Sequence, residues 1–478
     1  MTAPHVTLGV IVGSRRFFPA HLCAEARATM LQVLEAEGMR AVALSTEDTP
    51  GGAIECLEHA QRCAALFRAH REEIDGIVVT LPNFGEERAV ANALHLAGLN
   101  VPVLVHAFPD VADRMTPAER RDSFCGKISV CNNLRQYGIP FSLTQQHTVH
   151  PAQEGFRADL RRFAAVCRVV RGLRGARFGV LGARPAAFNT VRYSEKLLQR
   201  QGITVETLDL SEAFGRSAAL ADADPRVQAK GAEIRAYADA SRLPPAALLR
   251  LAKVGVVIDE WIGTNGYAGT AVQCWTSMQE HYGVFPCALM SMLSERMLPC
   301  ACEADIAGAV AMHALNLASG RPGALVDWNN NYGDDPDRAL VFHCSNLPRS
   351  LFVDGAATIE RHTGTAASYG EEQSWGMVHG RIVAQPFTYL RITTDDLTGK
   401  MLAYVGEGEL TADRVATFGG YGVVRIPNLQ GLLRYICTRG FEHHVAISPA
   451  PVADAVYEAL TTYLGWEVYH HDSYMLPG

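Results

Sequence analysis

The segment LPCACEADIAGAVAMHAL, residues 298 to 315, sets two carboxylates, Glu303 and Asp305, in an apolar run where a strand gives way to a helix. Burying a carboxylate is costly unless something positive meets it, so the pair needs a cation or an exposed position. Other groups with ligand chemistry are spread along the chain. Glu280 lies in CWTSMQEHYG, Asp327 and His343 in VDWNNNYGDDPDRALVFHCS, and His443 and His444 in GFEHHVAIS. Strand alternation turns one of the two adjacent histidines inward. Hard oxygen donors with one or two imidazoles, and no cysteine at ligand spacing, suit an octahedral Mn²⁺ or Mg²⁺ that leaves positions open. The plainer role for Glu303 and Asp305 is to cap the following helix, where a carboxylate satisfies free amides; capping and ligation are compatible.

Other candidates carry less. Arg15 and Arg16 in GSRRFFP stand at the carboxyl end of the first strand, the edge where open α/β sheets bind ligands, and read equally as an anion or sugar contact or as a solvated pair. Trp275 and Asn329 are further candidate substrate contacts. GVLGAR at 179 to 184 joins a strand to a helix but lacks the three-glycine spacing of a dinucleotide site. His470, His471 and Asp472 read as a polar tail. The twelve cysteines lie in apolar contexts without a CxxC pair, which predicts reduced core thiols; Cys300 and Cys302 read as alternate residues of one strand.

These residues must be held by a large scaffold. With 478 residues the chain divides into domains, and 48 % apolar residues supply their cores. A net charge of −7 argues against a nucleic-acid or membrane-surface binder. The first residues, MTAPHVTLGVIVGSRRF, lack the features of a secretory signal, and no apolar run reaches the roughly 20 residues a membrane span needs, so a cytoplasmic protein is expected. VTLGVIV, AVALS, GIVVTLP and VPVLVHAFP alternate with helical stretches, the pattern of a mostly parallel sheet. A second series runs from ARFGVLG through VGVVIDEW, PCALMS, LPCACEAD, ALVDWNN and ALVFHCS, read as strands, with a helix expected over AVQCWTSMQEHYG. Beyond about residue 350, RIVAQPFTYLRITTDD, KMLAYVGEGEL, GYGVVRIP and HHVAISPA are β-rich, with a late helix at 451 to 464. The expected architecture is α/β: domains over 1–172 and 173–350 with mostly parallel sheets, then a β-rich, barrel-like domain over 351–478.

Several motifs resemble one family. ACEADIAGAVAM resembles the segment carrying a metal-binding aspartate in L-fucose isomerase, and AFPDVADR and GARPAAFN are similar to other landmarks of that family. GFEHHVAIS is similar to the paired-histidine strand of L-arabinose isomerase, and VFHCSNLP to its further histidine segment. The likeness covers most of the chain and includes the domain order. It implies that Glu280 and Asp305 are metal-binding carboxylates, that His444 is the imidazole ligand, and that His343 is a fourth candidate; a shift of two residues in CEAD would exchange Glu303 for Asp305. His443, Asp327 and Glu303 stay in the second tier. It also implies a homo-oligomer, with a hexamer as one such assembly.

The implied reaction is aldose–ketose isomerisation of an open-chain pentose, hexose or deoxyhexose through a cis-enediol. A divalent cation on O1 and O2 stabilises the developing charge, while one of Glu280 and Asp305 takes the carbon-bound proton and the other shuttles hydroxyl protons. Two alternatives remain. One keeps the metal but takes an anionic sugar, sulfonated or phosphorylated, for isomerisation or retro-aldol cleavage, because guanidinium groups such as those of Arg15 and Arg16 match such anions. The other is a non-catalytic sugar-binding protein built from paired α/β lobes.

Overall fold

The computed structural model describes residues 5–471. The chain forms two compact units, one built from the residues up to Arg171 with Asp454–Gly465, the other from Gly172–Ala453 with the segment that starts at Trp466. In the first, a parallel sheet runs in the order Arg40–Ala43, Thr7–Gly13, Gly76–Leu81, Val103–Ala107, Ser142–Leu143. Its central strands are buried on both faces, which is why VTLGVIV and GIVVTL read as unbroken apolar runs. The late helix, Ala453–Glu458, belongs with this unit: just beyond it the Tyr463 hydroxyl meets Ser142 Oγ at 2.7 Å.

The second unit holds a four-stranded parallel sheet, in the order Cys300–Ala301, Gly269–Val272, Arg177–Leu181, Thr204–Leu208. Three expectations fail here. VGVVIDEW lies inside the helix Pro245–Asn265 and PCALMS opens the helix Cys287–Glu295. Valine and isoleucine disfavour a helix by only about a few tenths of a kcal/mol each, and burial of Leu251, Val254, Ile258 and Trp261 at helical spacing outweighs that. AVQCWTSMQEHYG, conversely, begins inside the strand Gly269–Val272 and keeps only a wide helical turn at Met278–Tyr282.

The larger sheet has nine strands. Six of them close a barrel: Gly420–Arg425, Arg338–His343, Ala324–Asn331, His444–Ser448, Gln385–Asp395 and Lys400–Leu410, the last returning to the first through Glu409 opposite Arg425. Two of these strands precede residue 350. The expected polar tail is instead a strand, Glu467–His471, paired in parallel with Lys400–Leu410, and His471 is buried with Nε2 2.9 Å from the Pro427 carbonyl. Asp472 lies outside the described residues. Among the described residues no helix is long and apolar enough to cross a membrane.

Candidate metal centre

The barrel register brings the first two groups together. His444 opens a fully buried strand whose pairing sets it directly opposite Asp327, and Asp327 in turn faces Phe342, one residue before His343 at the end of its strand. Paired residues of an antiparallel ladder stand on one face, so the Asp327 carboxylate and the His444 imidazole meet by construction. Glu303 arrives from elsewhere. It sits in the turn after Cys300–Ala301 with φ +60°, and Ala304 follows at φ +59°, so two residues with side chains occupy the left-handed region at a cost of roughly 1–2 kcal/mol each. Such strain persists where the surroundings hold it, and it is found at functional sites. Here Trp275 Nε1–H donates to Glu303 Oε1 at 2.9 Å, which leaves Oε2 turned toward His444.

Asp305 answers the question posed by the apolar run. It is fully buried, and it caps the helix Ile306–Ser319 by accepting the Gly308 N–H at 2.8 Å. It also pairs through both oxygens with the guanidinium of Arg391, and accepts Nδ1–H of His444 at 2.8 Å. Arg391, itself fully buried, donates from Nε to Glu442 at 3.0 Å, and the Thr393 hydroxyl donates to the other oxygen of Glu442 at 2.6 Å. Burial alone would raise the Asp305 carboxyl, but Arg391 and His444 outweigh it and hold it well below the usual carboxylate range.

Because Nδ1 of His444 is committed to Asp305, the free face of the ring is Nε2. It lies 3.0 Å from Glu303 Oε2 and 3.4 Å from Asp327 Oδ1. Those three atoms and Nε2 of His343 are all buried, and none has an aligned hydrogen-bond partner. Burial disfavours charge on His444, yet the Asp305 and Glu303 carboxylates beside its two ring nitrogens prevail and push its pKa up to about 10. Burial raises the carboxyl of Asp327. Buried unpaired atoms of this kind are rare and costly, and donors of two carboxylates and an imidazole, with the imidazole braced behind by a carboxylate, fit a divalent cation. His343 differs: the Cys344 amide donates to its Nδ1 at 2.9 Å, so the neutral ring carries its proton on Nε2.

Among the described residues the groups whose donor atoms lie within 4.8 Å of one another are Glu303, His343 and His444; Asp327, His443 and His444; and Cys302, His343 and Cys344. Glu280 and Asp305 belong to none of them. The oxygens of Asp305 meet the cap, the guanidinium and the imidazole, and Glu280 stands exposed on the turn Met278–Tyr282. His443 remains 40 % exposed, with Nε2 3.6 Å from Asp327. Trp275 touches Glu303 as described, whereas Asn329 is exposed at the irregularity between Trp328 and Asn330. In the other unit Arg15 is engaged by Glu87 and the Gly85 carbonyl and lies over the Phe84 ring, while Arg16 is exposed. Sequence reasoning missed Arg391, Glu442 and Phe188. An arginine inside FTYLRITTD raises the same question as a carboxylate inside an apolar run, and would have pointed to the counter-charge of Asp305. Phe188, whose ring lies 5.4 Å from His443, 5.9 Å from His444 and 5.7 Å from Trp275, carried no signal.

Residues 9–174 match the family model described as fucose/sulfoquinovose isomerase, N-terminal domain, and residues 341–471 match that of L-fucose isomerase, C-terminal domain. The chain belongs to the L-fucose isomerase family. It is accordingly an aldose–ketose isomerase. Similar members of the family include the sulfoquinovose isomerase of Alkalicoccus urumqiensis, 25 % identical over 369 residues, which cover 75 % of this chain and 78 % of the relative. That of Priestia aryabhattai is 24 % identical over 363 residues, 75 % of this chain and 77 % of the relative. That of Clostridium sp. (strain MSTE9) is 23 % identical over 346 residues, 70 % and 73 %.

Proposed function

We propose that this isomerase interconverts an anionic hexose, of the sulfoquinovose type, with its ketose, and that it does so with a divalent cation, Mn²⁺ or Mg²⁺, held by Glu303, Asp327 and His444. The observation that carries the metal is the approach of Glu303 Oε2, at 3.0 Å, and of Asp327 Oδ1, at 3.4 Å, to His444 Nε2, all three atoms buried and without hydrogen-bond partners. The anionic substrate is supported by the similarity to sulfoquinovose isomerases, and by Arg184 and Arg192, which line a cavity together with Asn189, Tyr193, Thr393 and Glu442. Guanidinium groups match a sulfonate through paired hydrogen bonds. Between these two arginines in sequence stands Phe188, which packs on His443 and His444.

In such a site a bound divalent cation supplies Lewis acidity for the charge of the enediol. The remaining work falls to the protein. Asp327, made more basic by burial, takes the proton from C2 and returns it to C1. His343, protonated on Nε2, donates toward the adjacent sugar oxygen. Asp305 holds the His444 ring with Nε2 forward, and Phe188 with Trp275 supplies an apolar wall that keeps water from the reacting carbons. A homo-oligomer, for which a hexamer is the assembly to test by sedimentation, and the division at 172 and 350 belong to the same reading; the family-model spans 9–174 and 341–471 support that division.

A substrate panel tests the sugar. Sulfoquinovose should give ketose with kcat/KM at least about tenfold above that for glucose, fucose or arabinose, a difference of about 1.4 kcal/mol. Equal or better turnover of a neutral aldose rejects the anionic reading and leaves the isomerase. A second test uses pH. Without metal, His444 keeps its proton up to about pH 10, so each cation bound at Nε2 must displace one proton. The affinity for Mn²⁺ should rise roughly tenfold per pH unit between about pH 6 and pH 8, with proton release visible by calorimetry in buffers of different ionisation enthalpy. An affinity flat with pH removes His444 from the ligand set.

A further inference from the structure

Cys344 stands beside the site without a part in the reaction. It follows the strand Arg338–His343 and is half-buried, whereas Cys302, after Cys300–Ala301, and Cys274, after Gly269–Val272, are fully buried or nearly so. The sulfurs of Cys302 and Cys344 and a ring nitrogen of His343 lie within 4.8 Å of one another. Nδ1 of His343 is 3.4 Å from Cys344 Sγ, and since the ring carries its proton on Nε2, this nitrogen is a base beside the thiol. The Cys287 and Cys302 thiols donate to the same sulfur, and with His343 they hold the Cys344 thiol well below its ordinary range against the opposing effect of burial. Cys63 gives the contrast: burial alone pushes its thiol up to about 12. A partly accessible thiolate with a second thiol in reach is the arrangement of a redox-sensitive cysteine.

We propose that Cys344 is a site of oxidation by hydrogen peroxide, with Cys302 as the thiol that resolves it into a disulfide. The Cys344 sulfur attacks one peroxide oxygen and the O–O bond breaks. The thiol proton passes through His343 to the departing hydroxide, which leaves Cys344 as a sulfenic acid and releases water. The Cys302 sulfur then displaces hydroxide from the sulfenic sulfur, and its own proton completes the second water. Two thiols are thereby oxidised to one disulfide as the peroxide is reduced to water. Cys274, its Sγ 3.0 Å from that of Cys302, can displace Cys344 by thiol exchange, so a Cys274–Cys302 bond is a later form of the same event. Either bond pulls on the residue before Glu303 and so on the strained turn that presents its carboxylate, and the first also ties down the residue after His343. The sulfur chemistry is independent of the sugar and the metal; its effect on turnover rests on the roles given above to Glu303 and His343.

The full chain, reduced and then freed of reductant, should lose the mass of two hydrogens on treatment with stoichiometric hydrogen peroxide, and peptide mapping should place the disulfide at Cys302. Isomerase activity should fall in step by at least about tenfold and return with dithiothreitol. Cys344→Ser should abolish both the bond and the inactivation, because Cys274 and Cys302 are too buried to meet peroxide directly. Cys302→Ser should leave Cys344 as a sulfenic acid that dimedone traps. Should the serine variants fail to fold, mapping of the wild type alone decides. A disulfide formed without loss of activity upholds the modification and counts against the role of Glu303 instead. No disulfide at Cys302, or one that forms equally fast in Cys344→Ser, overturns the proposal.

Discussion

Glu303→Gln should lower kcat/KM by about 10²–10⁴ and abolish tight Mn²⁺ binding while leaving the protein folded. The substitution isolates charge. Glutamine keeps the volume of the side chain and still offers an oxygen to the Trp275 Nε1–H that now donates to Oε1, so packing and the turn are retained. What disappears is the anionic Oε2 that lies 3.0 Å from His444 Nε2. Steady-state kinetics with the metal content of the purified protein checks this, and Asp327→Asn is the parallel case. Glu280→Gln is the informative control. Glu280 is exposed and joins none of the converging groups, so its loss should leave manganese bound; if it, and not Glu303→Gln, strips the metal, the proposed ligand set is wrong.

Arg391→Met should destabilise the protein by about 3–5 kcal/mol, a large part of the roughly 5–15 kcal/mol that holds a domain folded. The guanidinium is fully buried and is the counter-charge for both Asp305 and Glu442. Removing it leaves two buried carboxylates without compensation, and the cost is theirs more than the ion pairs' own contribution. Adding Asp305→Asn to Arg391→Met should therefore recover part of the loss, which a simple packing defect would not allow. The same network sets an acid limit. The folded carboxyl of Asp305 is held below its unfolded value, so its contribution is complete above about pH 4 and fades as pH falls below that. In Arg391→Met that depression should be relieved and the acid limb of the stability curve should flatten. Denaturant midpoints across the acid range measure both effects, and a loss below about 1 kcal/mol would mean that solvent reaches these carboxylates.

The candidate site was partly legible. The isolated chemistry of CEAD and EHH in apolar runs showed that charge is buried there, since no other arrangement of such residues is cheap. The choice within CEAD was not legible. Whether Glu303 or Asp305 faces the imidazole depends on two left-handed residues and on the helix start that takes Asp305 as its cap. The strand assignments of VGVVIDEW and PCALMS failed for a related reason: an apolar run buried on all sides has no period that tells helix from strand.

Read alone, the chain settled the succession of parallel-sheet and β-rich segments, the burial of a few charged groups, and the family likeness, because periodicity and residue chemistry are local properties. Tertiary structure decided which atoms meet. Asp327 faces His444 through barrel register, Arg391 reaches Asp305 across 86 residues, and the sulfurs of Cys274 and Cys302 lie 3.0 Å apart. Register and closure are set by the packing of the whole unit, and a contact between distant segments has no trace in the spacing of either one.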